Sequence, residues 1–421
     1  MNIPYRRRLL EDKLSKIMRH FSAVIITGAR QVGKSTLLSH HLPHVNHITF
    51  DPIIDIANAK RDPELFVNQL TLPVILDEIQ FTPEILSVIK RKIDQQKKVG
   101  QYYLTGSQNF SVMQHVAESL AGRIAVLTLG TLSVSELTNH PTCWLNSFVN
   151  NPTAFLKNPA ADSFFSQTHH HYHYSLIETL WRGFYPGLLN IPNELLQDTL
   201  ESYFKTYVER DVRLLVDIQQ IQEFSRFVAL IANLTAQEIN FSELGREIQI
   251  TPQTAKRWLD VLIACYQWTS IPAFSNNTIK RISQKPKGYI TDTGMACMLM
   301  HIGSTDSLKA HPKAGALFET LVVQDILKQL PFIDGKPAVY HWRSHSGAEV
   351  DLLIEVNNQF FPIEIKYKSN PTTQDARGIV AFRETYPHLN IAPGIILSPV
   401  QHIYAVAQNC YVVPFDLIMQ L

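Results

Sequence analysis

Gly28-Ala29-Arg30-Gln31-Val32-Gly33-Lys34-Ser35 is the stretch from which the fold is read. It fits the pattern G-x-x-x-x-G-K-[ST] of a phosphate-binding loop. Just before it, Ala23-Val24-Ile25-Ile26-Thr27 is a short apolar, β-branched run that reads as a buried strand. Just after it, Thr36-Leu37-Leu38 continues as the start of a helix. Phosphate binding needs a strand entering a glycine turn that opens a helix. Gly28 and Gly33 let the backbone turn without a Cβ clash. The loop N–H groups then face a phosphate, and the positive end of the helix dipole adds to them. The expected binding set is Gly28, Ala29, Arg30, Gln31, Val32, Gly33, Lys34, Ser35 and Thr36. Lys34 would reach the β- and γ-phosphates of ATP, and the Ser35 hydroxyl would ligate Mg²⁺. The alternative is a chance match on a glycine-containing turn.

Composition bounds the rest. A chain of 421 residues exceeds one ordinary core, so two or three domains are expected. With 45% hydrophobic and 18% charged residues, the chain is globular rather than disordered. A net charge of +1 provides no global field for nucleic acid or acidic lipid, so such contacts must come from local patches. Cys143, Cys265, Cys297 and Cys410 are widely spaced, which argues against a zinc ribbon or a disulfide framework and fits a reducing compartment. No apolar run has membrane-spanning length, and no apolar signal core follows Arg6-Arg7-Arg8. The expectation is a cytoplasmic protein without a membrane partner.

Further strands complete a parallel sheet. Leu10, Leu14, Ile17, Met18 and Phe21 have helical spacing ahead of the loop strand, and His47-Ile48-Thr49-Phe50 reads as a strand after the loop helix. Pro73-Val74-Ile75-Leu76-Asp77-Glu78 describes a buried strand with two acids at its carboxyl end, where ligands sit in open α/β sheets. Asp77 is placed to hold Mg²⁺ and Glu78 to act as general base toward the attacking water. The alternative is a strand ending in solvated acids. Gln101-Tyr102-Tyr103-Leu104-Thr105 is the next strand; Ser107 after it is the first choice for sensing the γ-phosphate, and Asn109 the second. A polar turn without ligand contact is the other reading. Arg123 either reaches the γ-phosphate of a neighbouring subunit, which would imply a homo-oligomer, or is a surface arginine or a structural ion pair.

Thr27-Gly28-Ala29-Arg30-Gln31-Val32-Gly33-Lys34-Ser35-Thr36, Leu76-Asp77-Glu78-Ile79-Gln80, Leu104-Thr105-Gly106-Ser107 and Leu120-Ala121-Gly122-Arg123 follow in this order. Together they resemble a large prokaryotic family of predicted AAA+-type ATPases that end in a domain with nuclease-like motifs. The resemblance covers nearly the whole chain.

The middle region is less specific. Residues from about 139 to 174 carry turn signals and the run His169-His170-His171-Tyr172-His173, an exposed polar loop or a transition-metal tract. From Leu196 to Leu215, Glu209, Arg210, Asp211 and Arg213 lie between helically spaced apolar residues and read as a solvated face. Residues from Asn240 to Thr291 read as a winged helix. A short helix covers Phe241 to Ile248, and a second runs from Pro252 to about Tyr266 with Thr251 as N-cap. Two β-like segments then lie around Thr269–Ile271 and Ile279–Ile282. Lys256, Arg257, Lys280, Arg281, Lys285 and Lys287 would form a surface for DNA phosphates. A lid or protein-binding module is the alternative.

Near the C-terminus, residues 316 to 330 read as a helix bearing Glu319, and residues 339–343, 349–356 and 360–367 read as strands. Strand period two puts Glu364 and Lys366 on one face, and the hairpin turn Asn357-Asn358 returns Asp351 beside them. Asp351 and Glu364 with the Glu319 carboxylate would make an oxygen-rich Mg²⁺ site, and Lys366 would activate water. This resembles the PD-(D/E)xK nuclease core. The resemblance implies Glu319 as helix acid, Asp351 and Glu364 as metal ligands and Lys366 as catalytic lysine; the motif's proline is Val350 here. The alternatives are an edge hairpin whose charges face solvent and a nuclease fold retained for binding.

The expected fold is α/β: a P-loop parallel-sheet ATPase at 1–138, an insertion with a helical, winged-helix-like region at 139–305, and an α/β nuclease-like domain at 306–421. The expected activity is ATP hydrolysis with Mg²⁺, by a cycle that controls action on DNA or RNA, with phosphodiester cleavage as one possible outcome. The alternative is an ATP-dependent switch for a protein partner with a silent nuclease-like module.

Overall fold

The computed structural model describes residues 5–50, 56–107, 122–139, 141–157, 174–207, 221–276 and 285–415. Asn109, Leu120, Ala121, the histidine run at 169–173, the charges at 209–213, and Lys280 and Arg281 lie outside these residues. The chain divides into two compact units. One comprises residues 1–132, 185–187 and 261–267, and the other 133–184, 188–260 and 268–421.

In the first unit, the described strands are β1 (Ala23–Thr27), β2 (Asn46–Thr49), β3 (Val74–Asp77), β4 (Tyr102–Gly106) and β5 (Ile124–Thr128). They form an α/β parallel sheet in the order β2-β3-β4-β1-β5. Every residue of β1, β3 and β4 is buried. This is why those runs are apolar throughout rather than alternating: a parallel sheet is covered on both faces. Ile25, Leu76 and Leu104 from these strands share one core with Ile85, Leu86 and Ile89 of the amphipathic helix Ile85–Gln96. Because the strands run the same way, the loop after β1 and the acids ending β3 emerge at one edge of the sheet.

In the second unit, the helix Phe241–Ile248 is followed by a helix from Pro252, where Thr251 Oγ1 accepts from the Thr254 N–H at 3.1 Å, the expected cap. A small antiparallel sheet has the order β6 (Gln237–Glu238), β8 (Lys287–Ile290), β7 (Trp268–Ile271). The strand pairing with β7 is therefore at 287–290; the segment expected at 279–282 lies outside the described residues. A larger mixed sheet is built from β9 (Ala338–Arg343), β10 (Glu349–Val356), β11 (Gln359–Ile365), β12 (Asn390–Ile391), β13 (Gly394–Ser398), β14 (Tyr404–Ala407) and β15 (Cys410–Pro414). The β10–β11 turn places Asn357 and Asn358 at φ of 49° and 61°, the left-handed conformation that asparagine tolerates and a tight hairpin needs. The long helix Ala314–Gln329 carries Glu319. No helix among the described residues is long and apolar enough to cross a membrane.

Candidate functional site

The β1 loop has the geometry its glycines predict. Gly28 has φ of +149°, and a Cβ there would stand 2.0 Å from the Leu129 carbonyl oxygen. Gly33 has φ of +94° and immediately precedes the helix Lys34–His41. The Lys34 ammonium is buried and folded onto its own loop, donating to Gly28 O at 3.0 Å and Ala29 O at 2.8 Å. Ser35 Oγ donates to Asp77 Oδ1 at 2.8 Å. The same carboxylate oxygen accepts from Thr105 Oγ1 on β4, and His47 Nε2 on β2 lies 3.5 Å from Asp77 Oδ2. Ser35 and Asp77 thus present a hydroxyl and a carboxylate side by side, a donor set that fits Mg²⁺.

Glu78 follows β3 in the left-handed conformation, φ 60°. Its backbone N–H donates to Thr105 Oγ1 at 3.1 Å, and its carboxylate accepts from Gln80 Nε2. The Gln80 amide also donates to Ser107 Oγ at 2.9 Å. Ser107, chosen from sequence as the γ-phosphate sensor, is thereby linked to Glu78 through Gln80. The cleft that Glu78 borders measures about 400 Å³, the size of a small-molecule site. Gln31, Val32, Gly33, Lys34, Ser35, Thr36 and Glu78 line it with Tyr5, Arg6, Arg8, Leu132, Pro186 and Gly187.

Sequence reading missed Arg8, Thr105 and Gln80. Arg8 is buried and donates to Val32 O at 2.8 Å and Gly130 O at 2.8 Å, bracing the phosphate loop against the segment after β5. The triple arginine at 6–8 was the only signal available. Arg123 Nε contacts Asp94 Oδ1 at 2.5 Å, the ion-pair alternative.

In the second unit, Asp351, Glu364, Lys366 and Glu319 do converge, but not as the three-acid cage expected. Leu352 pairs with Ile363, which sets Asp351 opposite Glu364. The β9–β10 register shifts between Val350 and Leu353, and such a bulge re-aims the side chains within it. Asp351 Oδ2 accepts from the Ile365 N–H at 3.0 Å and lies 3.9 Å from Lys366 Nζ. Lys366 Nζ is 2.5 Å from Glu364 Oε1, while Glu364 Oε2 is buried with no hydrogen-bond partner.

Between Asp351 and Glu319 stands Lys287. Its Nζ is 2.7 Å from Glu319 Oε1, 2.7 Å from Glu349 Oε1 and 2.8 Å from Asp351 Oδ1. Glu319 Oε1 also accepts from the Tyr289 hydroxyl at 2.7 Å. The expectation that Lys287 belongs to an exposed phosphate-gripping surface is therefore corrected: its side chain is 4% exposed and saturated with carboxylates. Strand period two was the missed signal, since it puts Lys287 and Tyr289 on one face of β8. Of the acids expected to surround one Mg²⁺, Glu319 and Asp351 are bridged by the Lys287 ammonium and Glu364 contacts Lys366. Among the described residues no three His, Cys, Asp or Glu side chains are grouped to hold a metal ion.

The electrostatics follow from burial and from these lysines. Burial and the neighbouring Asp351 raise the Glu319 carboxyl to about 7, against the pull of Lys287. Burial, then Asp351, push Glu364 well above the usual carboxylate value. Burial also opposes ionisation of Asp351, but Lys287 and Lys366 outweigh it and hold that carboxyl below its usual value. Lys287 is raised well above its usual value: burial works against its charge, and Asp351 and Glu319 more than offset it.

The first unit has a counterpart among known protein families. Residues 20–138 match the family described as an AAA domain. Together with the parallel sheet and the β1 loop, this defines an AAA-type P-loop ATPase domain. Residues 173–306 and 314–418 match two families described as domains of unknown function, DUF8612 and DUF4143. Uncharacterized proteins of Mycobacterium tuberculosis and Mycobacterium bovis are each 26% identical over 416 residues, 98% of this chain and 84% of theirs. Among solved structures, a Walker-type ATPase of Pyrococcus abyssi aligns with 15% identity and a TM-score of 0.41, covering 71% of this chain and 99% of its own. The RuvB Holliday junction branch migration motor of Thermotoga maritima aligns with 14% identity and a TM-score of 0.29, covering 65% and 93%.

Proposed function

We propose that this protein binds and hydrolyses ATP and uses that cycle to govern action on nucleic acid. The observation that carries the hydrolytic part is the meeting of Lys34, Ser35 and Glu78 at one cleft, with Asp77 hydrogen-bonded to Ser35. Lys34, released from the loop carbonyls, neutralises β- and γ-phosphate oxygens. Mg²⁺ held by Ser35 and Asp77 supplies further charge neutralisation when bound. Glu78 accepts a proton from the attacking water as that water's oxygen bonds to the γ-phosphorus. The bond to the bridging oxygen breaks, and ADP leaves with the electron pair. Gln80 and Ser107 orient the Glu78 carboxylate.

The nucleic-acid part draws on Lys256 and Arg257, both exposed on the helix that starts at Pro252, and on exposed Lys285. Such cations suit phosphate contacts. The C-terminal unit engages nucleic acid in this reading and does not cut it, because a lysine already fills the cation position among its acids. That same lysine favours a second reading, a nucleotide-dependent switch for a protein partner with a catalytically silent C-terminal module. ATP turnover by the purified chain, measured with and without duplex DNA or RNA, separates the two. Stimulation supports the first; turnover indifferent to both supports the second.

A further inference from the structure

The ammonium of Lys287 occupies a position of a kind that acidic clusters normally reserve for a bound cation. An ammonium has three N–H donors. Here three carboxylate oxygens, from Glu319, Glu349 and Asp351, lie within 2.7, 2.7 and 2.8 Å of the nitrogen. Its hydrogen-bonding capacity is therefore spent on acids drawn from a helix and from one sheet strand. A divalent ion taking the same oxygens would need them at about 2.0–2.6 Å, and would need the ammonium gone, since the two charges repel.

Displacing the ammonium is obstructed from behind. Lys287 sits in β8, which pairs with β6 on one side and β7 on the other. Its neighbour Gly288 lies so close to the Trp268 ring that a Cβ would stand 2.1 Å from Cζ2, so the backbone beneath Lys287 is pinned by packing. On the opposite side of Asp351, Lys366 faces Oδ2 and Glu364. Asp351 thus has a lysine at each oxygen.

We infer that Lys287 is a built-in replacement for a divalent cation, and that the wild-type cluster takes up no divalent metal while this lysine is in place. The inference rests on reading the cluster as a nuclease-like carboxylate site; it does not depend on whether the chain binds nucleic acid. It explains how the acids of a metal site can be retained without the metal: their charge is compensated from within the chain. Lys287 lies 64 residues before Asp351 in sequence, so the compensation comes from a different sheet.

The test is Mn²⁺ binding to the full-length, nucleotide-free protein, read from the free Mn²⁺ signal in electron paramagnetic resonance. Asp351→Asn isolates the cluster from any ion held near Asp77. Wild type and Asp351→Asn are expected to bind the same amount of Mn²⁺. Lys287→Met, which keeps most of the aliphatic stem, is expected to bind one ion more per chain, and Lys287→Met/Asp351→Asn to lose it again. An ion bound by wild type and lost in Asp351→Asn would overturn the inference. So would a folded Lys287→Met that gains none. If Lys287→Met fails to fold, Lys287→Met/Glu349→Gln removes one of the stranded acids and is read the same way, while the wild-type comparison decides independently. Failure to bind DNA or RNA would remove the nucleic-acid reading and leave these outcomes unchanged.

Discussion

Ser35 Oγ and Asp77 Oδ1 lie 2.8 Å apart although 42 residues separate them in sequence. The first belongs to the helix after β1 and the second ends β3, and the parallel sheet delivers both to one edge. Glu78, one residue further on, is positioned by the same strand end. Glu78→Gln should therefore retain ATP binding and hydrolyse it about 10²–10⁴-fold more slowly, the loss expected for a general base. Lys34→Ala should instead weaken nucleotide binding. Equilibrium binding of a fluorescent ATP analogue and steady-state phosphate release distinguish the two; wild-type turnover in Glu78→Gln would remove Glu78 from the role.

Gly28 is sterically obligatory where Gly33 is chiefly conformational. Gly28→Ala places a methyl against the Leu129 carbonyl and holds a non-glycine residue at positive φ. Strain of this kind costs about 1–3 kcal/mol, and the overlap adds to it. The urea midpoint of Gly28→Ala should fall clearly below that of wild type. An unchanged midpoint would mean that the segment at Leu129 yields freely.

Lys256 and Arg257 are the described cations best placed for phosphate contact. If each neutralises one phosphate, the double variant Lys256→Ala/Arg257→Ala should lower the slope of log affinity against log salt by about 1.8 for duplex DNA. Fluorescence anisotropy across a salt series measures it. A slope equal to that of wild type would assign this helix to a lid or a protein contact.

The carboxylate cluster has its own pH signature. Glu319 is raised to about 7, above the ordinary value of 4.5. The native state therefore holds this proton more tightly than the unfolded chain does. The stabilisation is fully present below the unfolded value and is lost as pH rises through about 7. Asp351, held below its ordinary value, acts oppositely, and its contribution is lost only in stronger acid. Glu319→Gln should thus flatten the decline in stability between about pH 4.5 and 7 that wild type shows. Urea midpoints at several pH values in that window provide the comparison, and parallel profiles for the two proteins would contradict the assignment.

Much of this was decided by contiguous sequence. The phosphate loop, its leading strand and the acid pair at 77–78 were legible because each is a local signal: an apolar run, two glycines at fixed spacing, two carboxylates at a strand end. Asp351, Glu364 and Lys366 were legible for a related reason, since strand alternation and a two-residue turn fix which residues of a hairpin face each other. What lies across the chain was not. Nothing local marks Arg8 as a brace for the phosphate loop, because its acceptors are carbonyls up to 123 residues away. Gln80 and Thr105 looked like ordinary polar residues until the sheet order brought β3 beside β4. Lys287 is the sharpest case. In sequence it is one more lysine in a basic stretch, and an isolated lysine belongs in water. Only the packing of β8 against the acid-bearing strand and helix supplies the three carboxylates that make burying its charge favourable, and that packing turned an expected surface cation into the internal counter-ion of the C-terminal cluster.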